Sequence, residues 1–306
     1  MKKALFLALS ALVLFLAGST WLSLYPAVPA DLGGVLSLDS AATRVRIPVG
    51  EGDHLDGWLL RGAKPAVVVL APGYARDHRR VWRYAQFLRN DGYSLLALDF
   101  RSARMERRQP TTLGVYERQD LDAVLAWIAA QPQWKRARVG LFGESLGGST
   151  SLAAAAADST VDAVVADCPF ATGEMAVRDG FACRLGMPAW PLTAISLWLG
   201  RAVTRPEFGG LDTRAALAAL GERPVLLIQT SLGDRFAKDQ VRALENAAGP
   251  GAEGWTVDDS RHTEVWIDHR REYETRVRAF FARHLLGARV WTLEPADGAA
   301  APGARR

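Results

Sequence analysis

Gly143-Glu144-Ser145-Leu146-Gly147 is a G-x-S-x-G string placed where a short apolar run ends and an alanine-rich stretch begins. A serine at such a strand-to-helix turn projects clear of the sheet, at a helix N-terminus whose dipole favours an adjacent oxyanion. Glycine is required on either side, because a Cβ there would strike the neighbouring strand or helix. The chemistry this allows is attack on a carbonyl carbon through a covalent acyl-enzyme. Two phosphate-binding readings of a glycine-rich turn fail. Gly140, Gly143 and Gly147 do not fit G-x-G-x-x-G, and the chain has no G-K-[ST].

A serine hydroxyl needs a base, and the chain has 5 histidines. His54 and His78 precede the serine, whereas His269 and His284 fall in or beside a closing amphipathic stretch. His262 stands in a polar loop after the last strand-like run, and the chain order serine, acid, histidine selects it. The orienting acid belongs in the loop after the run 225–229, where Asp234 sits; Asp239, Asp258 and Asp259 are the alternatives. That carboxylate would hold the imidazole tautomer and stabilise its charged form. Two backbone N–H groups would face the charge growing on the carbonyl oxygen, those of Leu146 and of Tyr74, the latter in the turn after the run 66–71.

The elements that must position these groups are legible as a rhythm. Residues 43–49 and 54–61 alternate like a half-buried hairpin. Residues 66–71, 94–98, 138–142, 161–166 and 225–229 are short continuous apolar runs, as parallel strands covered on both faces require. Helix-like stretches at 81–89, 118–130, 146–157 and 238–247 separate them, and Leu121, Val124, Leu125 and Ile128 mark one face of the second. Residues 255–257 read as a last strand and 270–286 as a closing helix. The pattern predicts a mostly parallel, doubly wound α/β sheet with an antiparallel start. Residues 168–223 interrupt the rhythm and fit a cap, whose centre at 185–200 carries no charge.

The first 25 residues set the compartment. Lys2 and Lys3 precede an apolar run over 4–17 that continues uncharged to Tyr25, which predicts export, as a cleaved signal peptide or as a membrane anchor. Cys168 and Cys183 are the 2 cysteines; an exported compartment permits a disulfide, and two separate buried thiols are the alternative. No clustered His/Cys spacing suggests a metal, and no cofactor motif is present. Of 306 residues 49% are hydrophobic and 23% charged, which excludes extended disorder, and a net charge of +4 argues against a nucleic-acid partner. Arginines cluster at 76, 79, 80 and 83 and again at 101, 104, 107 and 108, as solvated faces or as a site for an anion or a headgroup.

With G-E-S-L-G-G at the turn, Pro72-Gly73 and Asp99-Phe100-Arg101 after two strands, and Asp234 and His262 in that order, the chain resembles the α/β-hydrolase superfamily. It is similar in particular to Bem46-like and prolyl-oligopeptidase-like bacterial esterases with an N-terminal membrane segment, in which a turn like Asp167-Cys168-Pro169-Phe170 precedes an inserted cap. The likeness departs at Pro72-Gly73, where the family often has His-Gly, and at residues 99–104, where it often has D-x-R-G-x-G. It implies an α/β-hydrolase fold of about eight strands with a helical cap after the sixth. The organisation expected is a signal peptide or anchor at 1–25, a tether at 26–42, the hydrolase domain at 43–290 with its cap within 170–215, and a disordered tail at 291–306. The function expected is a serine hydrolase of the carboxylesterase or lipase type, acting on a small-molecule or lipid-like ester outside the cytoplasm. A peptidase or amidase with the same groups and a non-catalytic envelope binding protein are the alternatives.

Overall fold

The computed structural model describes residues 2–28, 41–50, 52–104, 109–185, 190–205, 207–233, 236 and 238–287. The tail at 291–306, most of the tether, and Asp234 lie outside them. One 8-stranded sheet forms the centre, in the order β1-β2-β4-β3-β5-β6-β7-β8. Its strands are β1 (Thr43–Pro48), β2 (His54–Leu60), β3 (Ala66–Ala71), β4 (Ser94–Leu98), β5 (Arg138–Glu144), β6 (Val161–Asp167), β7 (Val225–Thr230) and β8 (Ala252–Val257). The pairs β1–β2 and β2–β4 are antiparallel and all others parallel, so the antiparallel start and parallel body are as the patterning predicts.

The helices are α1 (Lys2–Leu24), α2 (His78–Ala85), α3 (Phe87–Asn90), α4 (Val115–Ala129), α5 (Leu146–Ala157), α6 (Gly173–Leu185), α7 (Trp190–Thr204), α8 (Thr213–Leu220), α9 (Lys238–Ala247), α10 (Val265–Asp268) and α11 (Arg270–Leu286). Every residue of β3 is buried, and the strand feeds two cores by alternation. Val67, Val69 and Ala71 face Leu121, Val124, Leu125 and Ile128 of α4 together with Leu152 of α5. Val68 and Leu70 face Val81 of α2 and Val277, Phe280 and Phe281 of α11. Helices therefore cover both sides of the sheet, which is why its strands read as unbroken apolar runs.

Two boundaries differ from the sequence reading. The helix expected over 81–89 begins earlier, because the Asp77 carboxylate accepts the Arg79 N–H (3.1 Å) and starts α2 at His78, and it is divided at Gln86 into α2 and α3. The strand expected at 255–257 runs from Ala252, held by pairing with β7. As an edge strand it leaves Glu253 and Gly254 exposed, so its apolar signal is short. Helices α6 and α7 occupy the interval after β6 where a cap was expected. The large apolar side chains of Trp190 and Trp198 on α7 are exposed. Among the described residues no helix is long and apolar enough to cross a membrane; the side chains at 4, 5, 8, 9 and 12 of α1, within the apolar run, lie outside that description. Cys168 and Cys183 are not joined in a disulfide; Cys168 is buried and Cys183 exposed.

Helix α11 rests on β5, the strand that leads into Ser145. A Cβ on Gly140 would stand 2.9 Å from Phe281 Cε1 and 3.0 Å from Leu285 Cδ1, so the missing side chain lets α11 lie flush on β5. Phe281 is fully buried. Phe281→Ala removes that packing and leaves a cavity, and is expected to cost about 3–5 kcal/mol, read as a lower urea midpoint at unchanged slope.

Candidate active site

Ser145 sits between β5 and α5 with φ 52° and ψ −111°, a region L-residues rarely occupy. Its N–H donates to the Asp167 carbonyl (2.7 Å) and its own carbonyl accepts the Ser149 N–H (3.0 Å), so both sides of the turn are fixed. The flanking glycines are there for the reason expected from sequence. A Cβ on Gly143 would lie 2.2 Å from the Gly147 carbonyl oxygen, and one on Gly147 would lie 2.1 Å from the Ala71 carbonyl oxygen.

His262 reaches this turn from the loop after β8. Its Nε2 is 3.0 Å from Ser145 Oγ. The imidazole meets the Phe236 ring edge-on, with centroids 4.7 Å apart. The loop is pinned just beyond it, where the Thr263 N–H donates to Cys168 Sγ (3.4 Å) and the Thr263 carbonyl accepts the Tyr84 hydroxyl (2.5 Å). The three alternative acids are engaged elsewhere. Asp239 holds Arg178 in a two-pronged pair, Asp258 accepts the Ser231 hydroxyl, and Asp259 lies 2.7 Å from His269 Nε2.

The other face of the turn is the segment after β3. A Cβ on Gly73 would stand 3.5 Å from Ser145 Cβ, so the backbone entering Tyr74 passes directly beside the serine. Leu146 is the first residue of α5, with its N–H among those a helix leaves without an internal partner. An apolar cavity of about 70 Å³ opens beside Ser145, walled by Leu146, Phe170, Val177, Phe181, Phe208 and Phe236. Thr20 and Ser23 of α1 also line it, which the sequence reading, treating those residues as the end of a targeting segment, did not foresee.

Beneath the serine two carboxyls are buried side by side, Glu144 and Asp167, partners in the β5–β6 register. Burial raises the Glu144 carboxyl against the opposing pull of Arg80, whose Nε lies 3.4 Å from Glu144 Oε1. Burial pushes Asp167 up to about 7, against the hydroxyl of Tyr273, which donates to it at 2.7 Å. The arginine clusters are largely spent inside the chain: Arg79 on Asp77, Arg80 on Glu144, Arg101 on Asp120 and Arg104 on Asp53. Arg107 and Arg108 lie outside the described residues.

The family model described as X-Pro dipeptidyl-peptidase (S15 family) matches residues 61–285. The uncharacterized protein YqkD of Bacillus subtilis is 26% identical over 242 residues, 76% of this chain and 77% of that one. Among solved structures, an esterase of Pyrococcus furiosus superposes with a TM-score of 0.69 at 21% identity, over 85% of this chain and 98% of its own. The alpha/beta hydrolase GrgF of a Penicillium species does so at 0.63 and 18%, over 80% and 99%. The architecture is that of an α/β-hydrolase.

Two outcomes follow from this geometry. Gly147→Ala forces a methyl group into the Ala71 carbonyl and is expected to abolish soluble, cooperatively melting protein, whereas Ala153→Gly in the same helix costs about 1 kcal/mol. An acid that keeps its proton in the fold but ionises when unfolded loses stability as pH rises from its unfolded value of 3.8 to about 7, by up to about 1.4 kcal/mol per pH unit. Asp167→Asn removes that loss, so its Tm advantage over the parent grows across this window and is constant above it. A Tm difference equal at both ends of the window would contradict the assignment.

Proposed function

The chain belongs to the X-Pro dipeptidyl-peptidase (S15) family of serine hydrolases, and we propose that it cleaves carboxylic esters through Ser145 and His262. The observation that carries this reading is the 3.0 Å approach of His262 Nε2 to Ser145 Oγ at the mouth of an apolar cavity. His262 accepts the hydroxyl proton as Ser145 Oγ bonds to the acyl carbon. The negative oxygen of the tetrahedral intermediate faces the N–H groups of Leu146 and Tyr74. Collapse expels the alcohol, to which His262 returns the proton, and leaves an acyl-serine. Water, deprotonated by the same imidazole, releases the acid. Asp234, by its place in the chain, is the carboxylate assigned to orient His262.

Ester is favoured over peptide by the lining of the cavity. An enzyme removing dipeptides must hold a free ammonium group, and the described residues around the cavity include no carboxylate. The apolar walls suit an acyl group instead. Export is part of the proposal. Lys2, Lys3 and the apolar run after them are a signal for translocation, so the domain would work outside the cytoplasm, attached to the membrane where the segment is retained.

A fluorophosphonate probe is expected to label Ser145 in the folded protein, and p-nitrophenyl esters are expected to be turned over well ahead of X-Pro p-nitroanilides. Ser145→Ala should abolish both, and His262→Ala should lower kcat by about a thousandfold or more. Faster turnover of the anilides would establish the peptidase reading. Folded protein that resists the probe would make the chain a binding protein on a hydrolase fold.

A further inference from the structure

The last two turns of α1 are built into the hydrolase domain beside the reactive serine. Thr20, buried to 3% exposure, donates its hydroxyl to Ser196 Oγ on α7 at 3.1 Å. Leu24, 1% exposed, packs with Val177, Phe181, Leu197 and Phe208 of the cap. The final carbonyls of a helix have no partner within it. Here the Ser23 carbonyl accepts the Tyr74 hydroxyl (2.9 Å) and the Leu24 carbonyl accepts the Thr111 N–H (2.8 Å). A segment that served only to address the chain would have no need of such docking.

Thr20 and Ser23 also line the cavity that contains Ser145. We propose that the C-terminal end of α1 is the distal wall of the acyl-binding pocket, so that the N-terminal helix stays with the enzyme and sets the size of the acyl group accepted. This rests on the ester-hydrolase reading and goes beyond it by naming the substrate class. At 10–15 Å³ of such space per water-sized group, the cavity of about 70 Å³ holds about five to seven of them. That favours an unbranched acyl chain of short to medium length over a bulky or long one. The walls contributed by Phe170, Phe181 and Phe208 meet its methylenes, and the small side chains of Thr20 and Ser23 leave the end of the pocket open to it.

The test uses the full chain and p-nitrophenyl esters from acetate to dodecanoate. The parent is expected to peak at short to medium length. Ser23→Phe projects a ring into the cavity and is expected to lower the ratio of octanoate to acetate kcat/KM by at least about tenfold, the scale on which a pocket senses one or two methylenes. Leu22→Phe, on the outward face at 70% exposure, is expected to leave the profile as it is. Fluorophosphonate labelling and a cooperative melt report that each variant is folded. Thr20→Met carries the same expectation should Ser23→Phe fail to fold. A chain-length profile unchanged in the folded, labelled pocket variant would overturn the proposal while leaving the hydrolase reading intact. A parent that takes no probe and hydrolyses no ester would instead remove the reading beneath it.

Discussion

At Ser145 the chain passes from β5 into α5 with φ 52° and ψ −111°, a conformation that costs about 1–3 kcal/mol for a residue bearing a side chain. The surroundings must over-determine it, and they do so at the carboxyl edge of the sheet. Ser145 N–H is bonded to Asp167 at the end of β6, and the next residue, Cys168, also at positive φ, donates its N–H to Ile228 of β7. Three strand ends are thereby stitched together in order. Each bond of this kind contributes about 1 kcal/mol net, and leaving one of these buried groups unpaired would cost more. The strain at the serine is offset by the ladder it terminates, and the glycines at 143 and 147 are what permit strand and helix to approach closely enough for the ladder to form.

The same edge carries two costly polar groups. Glu144 and Asp167 are both buried and adjacent, so desolvation and mutual repulsion both favour a neutral carboxyl there. Well-packed apolar residues would be cheaper in stability. What the polar pair adds is connection across layers: Arg80 reaches Glu144 from α2, and Tyr273 reaches Asp167 from α11. Two helices on one face of the sheet are thus tied by directional bonds to the two strand ends that flank the serine. The backbone that aims Ser145 is held from below as well as from its sides.

The sheet was legible in the sequence because parallel strands covered on both faces must be apolar without interruption, and residues 66–71 and 94–98 are such runs, too short for buried helices. The face of α4 was legible for a related reason: Leu121, Val124, Leu125 and Ile128 recur at helical spacing, and all are buried. Ser145 and His262 could be picked out by local string and chain order, and they lie within hydrogen-bond distance. Less of β8 was readable, because an exposed edge strand does not need apolar residues along its whole length. The early start of α2 depended on one side chain, Asp77, capping the helix. The role of Thr20 and Ser23 had no local signal at all. Their partners Ser196 and Tyr74 are remote in the chain, and an apolar run behind two lysines already has a sufficient explanation as a targeting segment.

The cap and α1 bear on each other through that missed contact. Helix α7 has a buried side, with Ser196 and Leu197, and an outward side with Ile195 and Trp198 exposed. On helix α1, Phe15, Trp21 and Leu22 are exposed while Leu16, Thr20 and Leu24, one turn apart, are buried. The contact between them includes a buried hydroxyl pair, Thr20 on Ser196, and a directional bond of that kind fixes register better than apolar side chains that can slide. Register is what the site requires. The Ser23 carbonyl accepts the hydroxyl of Tyr74, the residue whose backbone runs beside Ser145, so a shift of α1 along α7 removes that acceptor and loosens the turn next to the serine. The end of the N-terminal helix is thus tied by a hydrogen bond to the segment that passes beside Ser145, although the helix end and the serine lie more than a hundred residues apart.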